Sequence, residues 1–254
     1  MRQRIFLALA ASALLVTGCA DAIDAAAPPP TPAEKLRDAV PDGSEGSFRY
    51  TMKQLEGDAK GEVNPKDKRM TYTAVFKDKD LGFSMTMAIV VIDQQAWTKV
   101  TFSNTKDITG LPKLPPKWLE LDTSKVDDPE DVRYTHPDPT GAVVLLDHIV
   151  DATETSQGAF KGTVDLTKAA DVDVVDAEAL AALGEKAKAV PFEAAVDASG
   201  RLTSLTVEVP AAGQTEAFSW VATFSDYGTA PEVKQPPAAQ TTPAPPETYD
   251  LLNG

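Results

Sequence analysis

Residues 83–91 read FSMTMAIVV and decide the fold class, because every second side chain is large and apolar. Phe83, Met85, Met87, Ile89 and Val91 would share one face of a strand, while Ser84, Thr86 and Ala88 between them are smaller. An apolar period of two residues is typical of a β-strand that is buried on one face. The stretch therefore predicts a sheet with one face against a core.

The same alternation recurs on both sides of this stretch. It is clearest in Phe48, Tyr50 and Met52, and it returns along the chain at residues 72–76, 97–102, 118–121, 160–166, 192–196, 202–209 and 218–224. The segments 192–196 and 202–209 flank Asp197-Ala198-Ser199-Gly200, a turn sequence that predicts a hairpin. Nine strands that are mostly linked as hairpins, with helices inserted, predict an α+β fold on a large antiparallel sheet.

Three helices are predicted, one before the first strand and two between strands. The first begins at Thr31, which forms a capping-box pattern with Pro32 and Glu34, and the third runs from an Asp176 cap to Val190. The second covers residues 142–152 and is the most apolar. Its apolar side chains spread over more than half of its circumference, so we expect some of them to line a cavity between this helix and the sheet.

The N-terminus has the pattern of a lipoprotein signal. Arg2 and Arg4 precede an apolar run at residues 5–16, and small residues lead to Cys19, the only cysteine of the chain. We expect residues 1–18 to be a signal peptide, with a lipid anchor on Cys19 that holds the protein at the extracytoplasmic face of the cell membrane. An ordinary signal peptide with an incidental cysteine is the alternative.

The remaining domain boundaries follow from composition. Residues 19–30 are rich in alanine and proline and are expected to be a lipidated tether. Residues 31–234 would form the folded domain, and residues 235–254, which begin with QPPAAQTTPAPP, are expected to be a Pro-rich disordered tail.

Charge excludes one class of partner. After removal of residues 1–18 the chain has 22 basic and 38 acidic residues, a net charge of −16. Nucleic acid binding requires a basic surface, so we expect no nucleic acid partner. The same charge disfavours lying flat on anionic headgroups and is typical of a body held away from the membrane.

Residues that could support catalysis or metal binding are sparse. His136 and His148 are the only histidines, and Ser103-Asn104-Thr105-Lys106 matches a Ser-x-x-Lys pattern without the other motifs of penicillin-recognising enzymes. The acidic segments at residues 127–131 and 171–176 do not follow a calcium-loop pattern. We therefore expect no enzyme, no metal and no cofactor.

The sequence resembles the actinobacterial lipoproteins of the LppX/LprG type over most of the mature chain. The resemblance rests on the Cys19 lipobox and on residues 118–122 (WLELD), 139–146 (PTGAVVLL), 158–162 (GAFKG), 191–192 (PF), 196–197 (VD), 200–202 (GRL) and 224–228 (FSDYG). It implies a strongly curved antiparallel half-barrel, LolA-like, with helices packed on the concave side. It also implies a cavity for acylated lipids or glycolipids, which such carriers move across the envelope. The Pro-rich tail and Ala195, where relatives tend to have an aromatic residue, depart from the pattern.

Two functions remain open at this point. The first is a non-catalytic carrier of acyl lipids, with the membrane as partner through its anchor. The second is a regulatory or structural lipoprotein that uses the same fold to bind an envelope protein. For the first, the expected lipid pocket is formed by one set of side chains from the apolar helix and one from the central strand: Val143, Leu146, Ile149, Val150, Phe83, Met85, Met87 and Ile89.

Overall fold

The computed structural model describes residues 28–55, 57–78, 81–106, 108–169, 172 and 174–254. Within them the chain folds as an α+β protein with four short α-helices and one sheet of twelve strands. The helices are α1 (Pro32–Ala39), α2 (Ala142–Asp147), α3 (Ala177–Leu183) and α4 (Pro246–Leu252). The strands are β1 (Phe48–Lys53), β2 (Gly57–Asn64), β3 (Arg69–Lys77), β4 (Ser84–Ile92), β5 (Gln95–Ser103), β6 (Trp118–Glu120), β7 (Ile149–Ser156), β8 (Ala159–Val164), β9 (Val190–Val196), β10 (Leu202–Val209), β11 (Phe218–Ser225) and β12 (Thr241–Pro243).

The strands form an open, curled sheet in the order β12-β6-β5-β4-β3-β2-β1-β11-β10-β9-β8-β7. All neighbouring pairs are antiparallel except β12 and β6, which run parallel. The predicted α+β class and the mostly antiparallel sheet are therefore confirmed. The predicted hairpin around residues 197–200 is also present, between β9 and β10.

Three strands were not predicted, and each lacks the alternation that marks the others. β2 reads GDAKGEVN and contains two glycines and three charged residues, yet it pairs with β1 and β3 along its length. β7 follows α2 after a single residue, and β12 lies in the Pro-rich segment. Backbone pairing with well-marked neighbours stabilises β2 and β7, so their own side chains carry little signal.

Apolar side chains on one face of the sheet form two core clusters. The larger one contains aromatic side chains of the sheet, namely Phe48 and Tyr50 of β1, Phe160 of β8, Phe192 of β9 and Trp220 of β11. It also contains leucines of two helices, Leu36 of α1 and Leu145 and Leu146 of α2. The second lies over β4 and β5 and contains Met87, Ile89, Val91, Val100 and Tyr249. Partly buried Met70, Tyr72, Phe76 and Tyr134 contact both clusters.

The apolar helix is shorter than predicted. We expected it to cover residues 142–152, but α2 ends at Asp147 and the chain turns directly into β7. His148 caps α2, its carbonyl accepts a hydrogen bond from Asp165 N, and Ile149 pairs with Val164. Ile149 and Val150 are β-branched and favour extended backbone, which explains the change of structure at this point.

The helix predicted from Asp176 to Val190 is present in two parts. Asp176 caps α3 as expected, accepting a hydrogen bond from Ala179 N at 2.7 Å. Gly184, with φ +56°, ends the α-helical geometry, and a 3₁₀ segment continues to Ala189. Val190 is already the first residue of β9.

The prediction of a disordered tail over residues 235–254 is wrong. β12 pairs with β6 through Thr241, Thr242 and Pro243, and α4 buries Thr248 and Tyr249. The prolines fit this structure because Pro246 lies at the first turn of α4 and Pro243 lies at the edge of the sheet, where a missing N–H costs little.

The predicted signal peptide (1–18), Cys19 and most of the tether (20–27) lie outside the described residues. In the part of the chain that the structure describes, no helix has the length and apolar character needed to cross a membrane.

Candidate ligand cavity

A cavity of about 790 Å³ opens at one end of the sheet. This end is defined by the pairing register: β1 ends and β2 begins there, β3 ends and β4 begins there, and β5 ends there. The cavity thus lies between the tips of the β1–β2 and β3–β4 hairpins and the loop that follows β5.

Its floor is a single cross-strand row. Gly57 of β2 is opposite Phe76, Phe76 is opposite Met85, and Met85 is opposite Phe102. Gln54 extends the row, since its backbone N donates to Gly57 O at 3.0 Å. All five residues line the cavity. The alternation that buries the middle of each strand therefore presents two aromatic rings and a thioether at this end.

The cavity is closed on its other side by segments from outside these strands. Leu111 and Pro112 come from the loop after β5, and Leu251 comes from α4. The rim is completed by Leu55, Asp58, Val75, Lys77, Asp78 and Phe83. The interior is therefore mainly apolar, and the charged groups lie at its edge.

The C-terminal helix that supplies Leu251 is fixed by side-chain contacts. Asp122 N donates to Tyr249 Oη at 2.9 Å, and the Lys125 ammonium lies 5.4 Å from the centre of the Tyr249 ring. Asn253 accepts from Asp127 N at 3.0 Å and donates to Lys125 O at 3.1 Å. The segment expected to be disordered thus supplies one wall of the cavity.

The expected pocket residues are divided between the cavity and the core. Phe83 and Met85 line the cavity, but Met87 and Ile89, further along β4, are buried in the second core cluster. Leu146 is fully buried in the larger cluster.

The other helix residues of the expected pocket are also away from the cavity. Val143 and Ile149 pack partly buried against the larger core cluster, and Val150 is 57 % exposed on β7. The predicted pocket between α2 and Met85–Met87 is therefore wrong, because Leu145 and Leu146 of α2 are buried in the larger core cluster and do not line the cavity.

Several lining residues were missed. Phe102 belongs to a predicted strand, and its alternation with Val100 was a usable signal, but its position beside Met85 depends on register. Leu251 was assigned to the disordered tail, although the apolar Tyr249, Leu251 and Leu252 after the prolines could have indicated a helix that packs.

Two tyrosines of the core, Tyr50 and Tyr134, have raised pKa values. Burial raises the pKa of Tyr134 to about 12, and burial together with the nearby Tyr72 and Glu62 raises the pKa of Tyr50 above its ordinary value. Tyr50 Oη donates to Thr71 O at 2.8 Å, so its hydroxyl is satisfied.

The residues considered for catalysis have structural contacts. His136 Nδ1 accepts from Asp138 N at 2.9 Å, and the Asp138 carboxylate in turn accepts from Thr140 N and Val143 N at the start of α2. Ser103 is the last residue of β5. Among the described residues no group of three or more His, Cys, Asp or Glu side chains could hold a metal ion.

A smaller cavity of about 480 Å³ lies at the opposite end of the sheet. It is lined by Pro30 and α1 together with the β7–β8 and β9–β10 turns, which include Gly158 and Gly200. Lys35 and Glu154 form an ion pair of 2.6 Å there. The described N-terminal end of the chain therefore lies at the end of the sheet that is remote from the larger cavity.

No protein-family model matches the sequence, and no curated protein matches it significantly.

Proposed function

We propose that the protein is a non-catalytic cell-envelope lipoprotein that binds the acyl part of a lipid or glycolipid in the larger cavity. The observation that carries the proposal is the cavity itself, about 790 Å³ with Phe76, Met85 and Phe102 on its floor. Pockets for small ligands typically measure about 300–1,000 Å³ and are mostly apolar, with a few polar groups for orientation.

The energetics of lipid transfer support an apolar cavity as the central requirement. Each CH₂ that is removed from an apolar environment costs about 0.8 kcal/mol, so a 16-carbon chain forfeits roughly 13 kcal/mol in water. A binder must therefore offer a dry, adaptable surface. Met85 between two aromatic rings is suited to this role because an unbranched thioether adapts to ligands of different shape.

We further propose that the curled sheet is a strongly curved half-barrel of the LolA type, with α1, α2 and α3 packed on its concave side. The proposal is supported by the shared core: Leu36, Leu145 and Leu183 belong to the same buried cluster as Phe48 and Trp220 of the sheet. In this arrangement α1, α2 and α3 cover one half of the concave side, the second core cluster with α4 covers the other half, and the larger cavity opens at the end of that half.

The location we propose is the extracytoplasmic face of the cell membrane, with a lipid anchor on Cys19. The support is the sequence pattern before Cys19 and its standing as the only cysteine of the chain.

Native mass spectrometry of the full chain from a lipid-rich host tests the ligand, with Met85→Trp as the diagnostic variant. The larger side chain should enter the cavity, abolish the lipid-bound mass and leave the melting temperature near that of the wild type. The matched control is Met87→Trp on the same face of β4, which is 9 % exposed and outside the cavity. There the indole has no space, and overpacking should cost about 1–3 kcal/mol.

Wild-type protein that carries no lipid in this experiment would overturn the proposal. The same sheet would then be left with the other function considered for it, the binding of an envelope protein.

A further inference from the structure

The cavity end of the sheet carries two exposed leucines. Leu55, at the tip of the β1–β2 hairpin, is 49 % exposed, and Leu81, at the tip of the β3–β4 hairpin, is 59 % exposed. In the described parts of the chain only one other large apolar side chain, Val150, is counted as exposed. The two leucines therefore lie on neighbouring turns at the same end of the sheet, and Leu55 also lines the cavity.

Charge distinguishes this end from the rest of the protein. Residues 53–58, 77–83 and 103–117 contain six lysines and five acidic residues, whereas the whole chain has 24 basic and 38 acidic residues. The side chains of Lys53, Lys77, Lys106 and Lys113 are exposed, and none of the four forms an ion pair with a described residue. The segments around the cavity mouth are thus less acidic than the chain as a whole.

The direction in which this surface faces follows from the position of Pro30. The described N-terminal end lies beside the β7–β8 and β9–β10 turns, at the other end of the sheet. The nine-residue strands β4 and β5 separate the two ends by about 30 Å, at roughly 3.3 Å per residue. The cavity mouth therefore lies at the end of the sheet opposite to Pro30.

We propose that the Leu55–Leu81 end docks on the surface of a lipid bilayer, so that an acyl chain passes between bilayer and cavity without crossing water. This inference rests on the proposed function, since it supplies the entry route for the same ligand. The footprint fits a bilayer because short apolar turns with a neutral to basic surround insert shallowly at an interface. An exposed leucine gains free energy when it is buried there, and lysines tolerate phosphate headgroups.

The test uses the full chain with Cys19→Ala, so that an engineered cysteine is the only thiol. Leu81→Cys, labelled with an environment-sensitive fluorophore, is mixed with phosphatidylcholine vesicles. We expect a blue shift and increased emission, and quenching by lipids that carry a quencher on the acyl chain. The matched control is the same label at Ser199→Cys, on the β9–β10 turn at the opposite end, where we expect no quenching.

A second substitution shows whether the leucines supply the affinity. In the labelled Leu81→Cys protein, adding Leu55→Ser should weaken vesicle binding by about tenfold, because a buried leucine side chain contributes at least that factor. Equal responses at positions 81 and 199, or no effect of Leu55→Ser, would overturn the docking surface and favour a protein partner at this end.

The two proposals fail in different ways. A protein that carries lipid in the mass spectrum but shows no response at position 81 refutes docking alone. A protein that inserts position 81 but never carries lipid keeps the docking surface and refutes the ligand.

Discussion

The ring of Tyr50 on β1 lies over Gly61 on β2. The two residues are directly opposite in the antiparallel register, and a Cβ at position 61 would be 2.7 Å from both Cε1 and Oη of Tyr50. It would also be 1.8 Å from Thr71 O, the atom that accepts the Tyr50 hydrogen bond. Gly61 is thus required so that the ring can reach its acceptor across the sheet.

Gly61→Ala should therefore destabilise the protein by about 2 kcal/mol or more, because backbone or ring must move to admit one methyl group. Chemical denaturation monitored by circular dichroism measures the free energy of unfolding. Lys60→Ala, at the exposed neighbouring position, is the control and should change it by less than about 0.5 kcal/mol. Equal effects of the two substitutions would contradict the close contact.

Leu146→Trp should lower the melting temperature. Leu146 is fully buried between α2 and the larger core, so the indole would overpack it at a cost of about 1–3 kcal/mol. Val150→Trp, at a residue that is 57 % exposed, should leave the melting temperature nearly unchanged. Thermal melts of the two variants measure the difference. An unchanged melting temperature for Leu146→Trp would show that Leu146 lines a cavity under α2.

Tyr249→Ala should lower the free energy of unfolding by about 3 kcal/mol. The ring is 8 % exposed and packs α4 against the second core cluster, so its removal leaves a cavity there. Asp250→Ala, on the exposed side of the same helix, should have little effect. Urea denaturation distinguishes them. A tail without structure would make both substitutions neutral.

Acidification should remove part of the stability of the β9–β10 hairpin. The hydrogen bond from the Arg201 side chain is the main cause that lowers the pKa of Asp197, with backbone hydrogen bonds from Arg201 and Ser199 acting in the same direction. A folded pKa below the unfolded value of about 3.9 gives stability that is present above that value and is lost as the pH falls through the folded pKa.

The measurement is the melting temperature of wild type and Asp197→Asn between neutral pH and about pH 3, a range that spans the unfolded value. The gap between them should be largest at neutral pH and should close in acid. Glu216→Gln, at an exposed position, is the charge-matched control. A gap that stays constant with pH would show that the carboxylate charge contributes nothing to the hairpin.

Metabolic labelling with a fatty-acid probe tests the anchor. Wild type should be labelled and Cys19→Ala should not, because the thiol of Cys19 is the only one available for acylation. The control is Ser199→Cys in the Cys19→Ala background, which restores a thiol without the preceding signal. Equal labelling of wild type and Cys19→Ala would refute lipidation at this position.

The central strands could be predicted because one face of each is buried, so that Phe48, Tyr50 and Met52 alternate with exposed residues. β2 could not be predicted, because its sequence has no strong apolar alternation. Its Gly61 is needed for contact with the Tyr50 ring on the neighbouring strand, and that contact is not visible in the sequence of β2. The cavity was correctly expected beside the start of β4, but the helix that lines it is α4 and not α2. Periodicity shows that α2 has more apolar side chains than one sheet-facing stripe needs. Whether one of them, such as Leu146, packs in the core or lines a cavity depends on which strands the helix contacts.

Phe83 and Met85 were found because their strand shows the strongest alternation in the chain. Phe102 and Leu251 reach the same cavity from elements distant in sequence. Phe102 reaches the cavity because of the register between β4 and β5, and Leu251 reaches it because α4 packs against these strands. Neither arrangement can be predicted from the sequence pattern of a single segment.

The Pro-rich C-terminal segment has a consequence for solubility. β6 has only three residues, and without β12 its unpaired backbone would form one border of the sheet. Such borders recruit strands from other molecules and seed aggregation. β12 covers this border with a strand that ends in Pro243, and a proline has no N–H to offer an incoming chain. At the opposite border β7 carries the exposed Asp151, whose charge opposes the approach of a second acidic molecule, while Glu154 is held in its ion pair with Lys35. The chain thus protects both borders of its sheet against pairing with another strand, one with proline and one with charge.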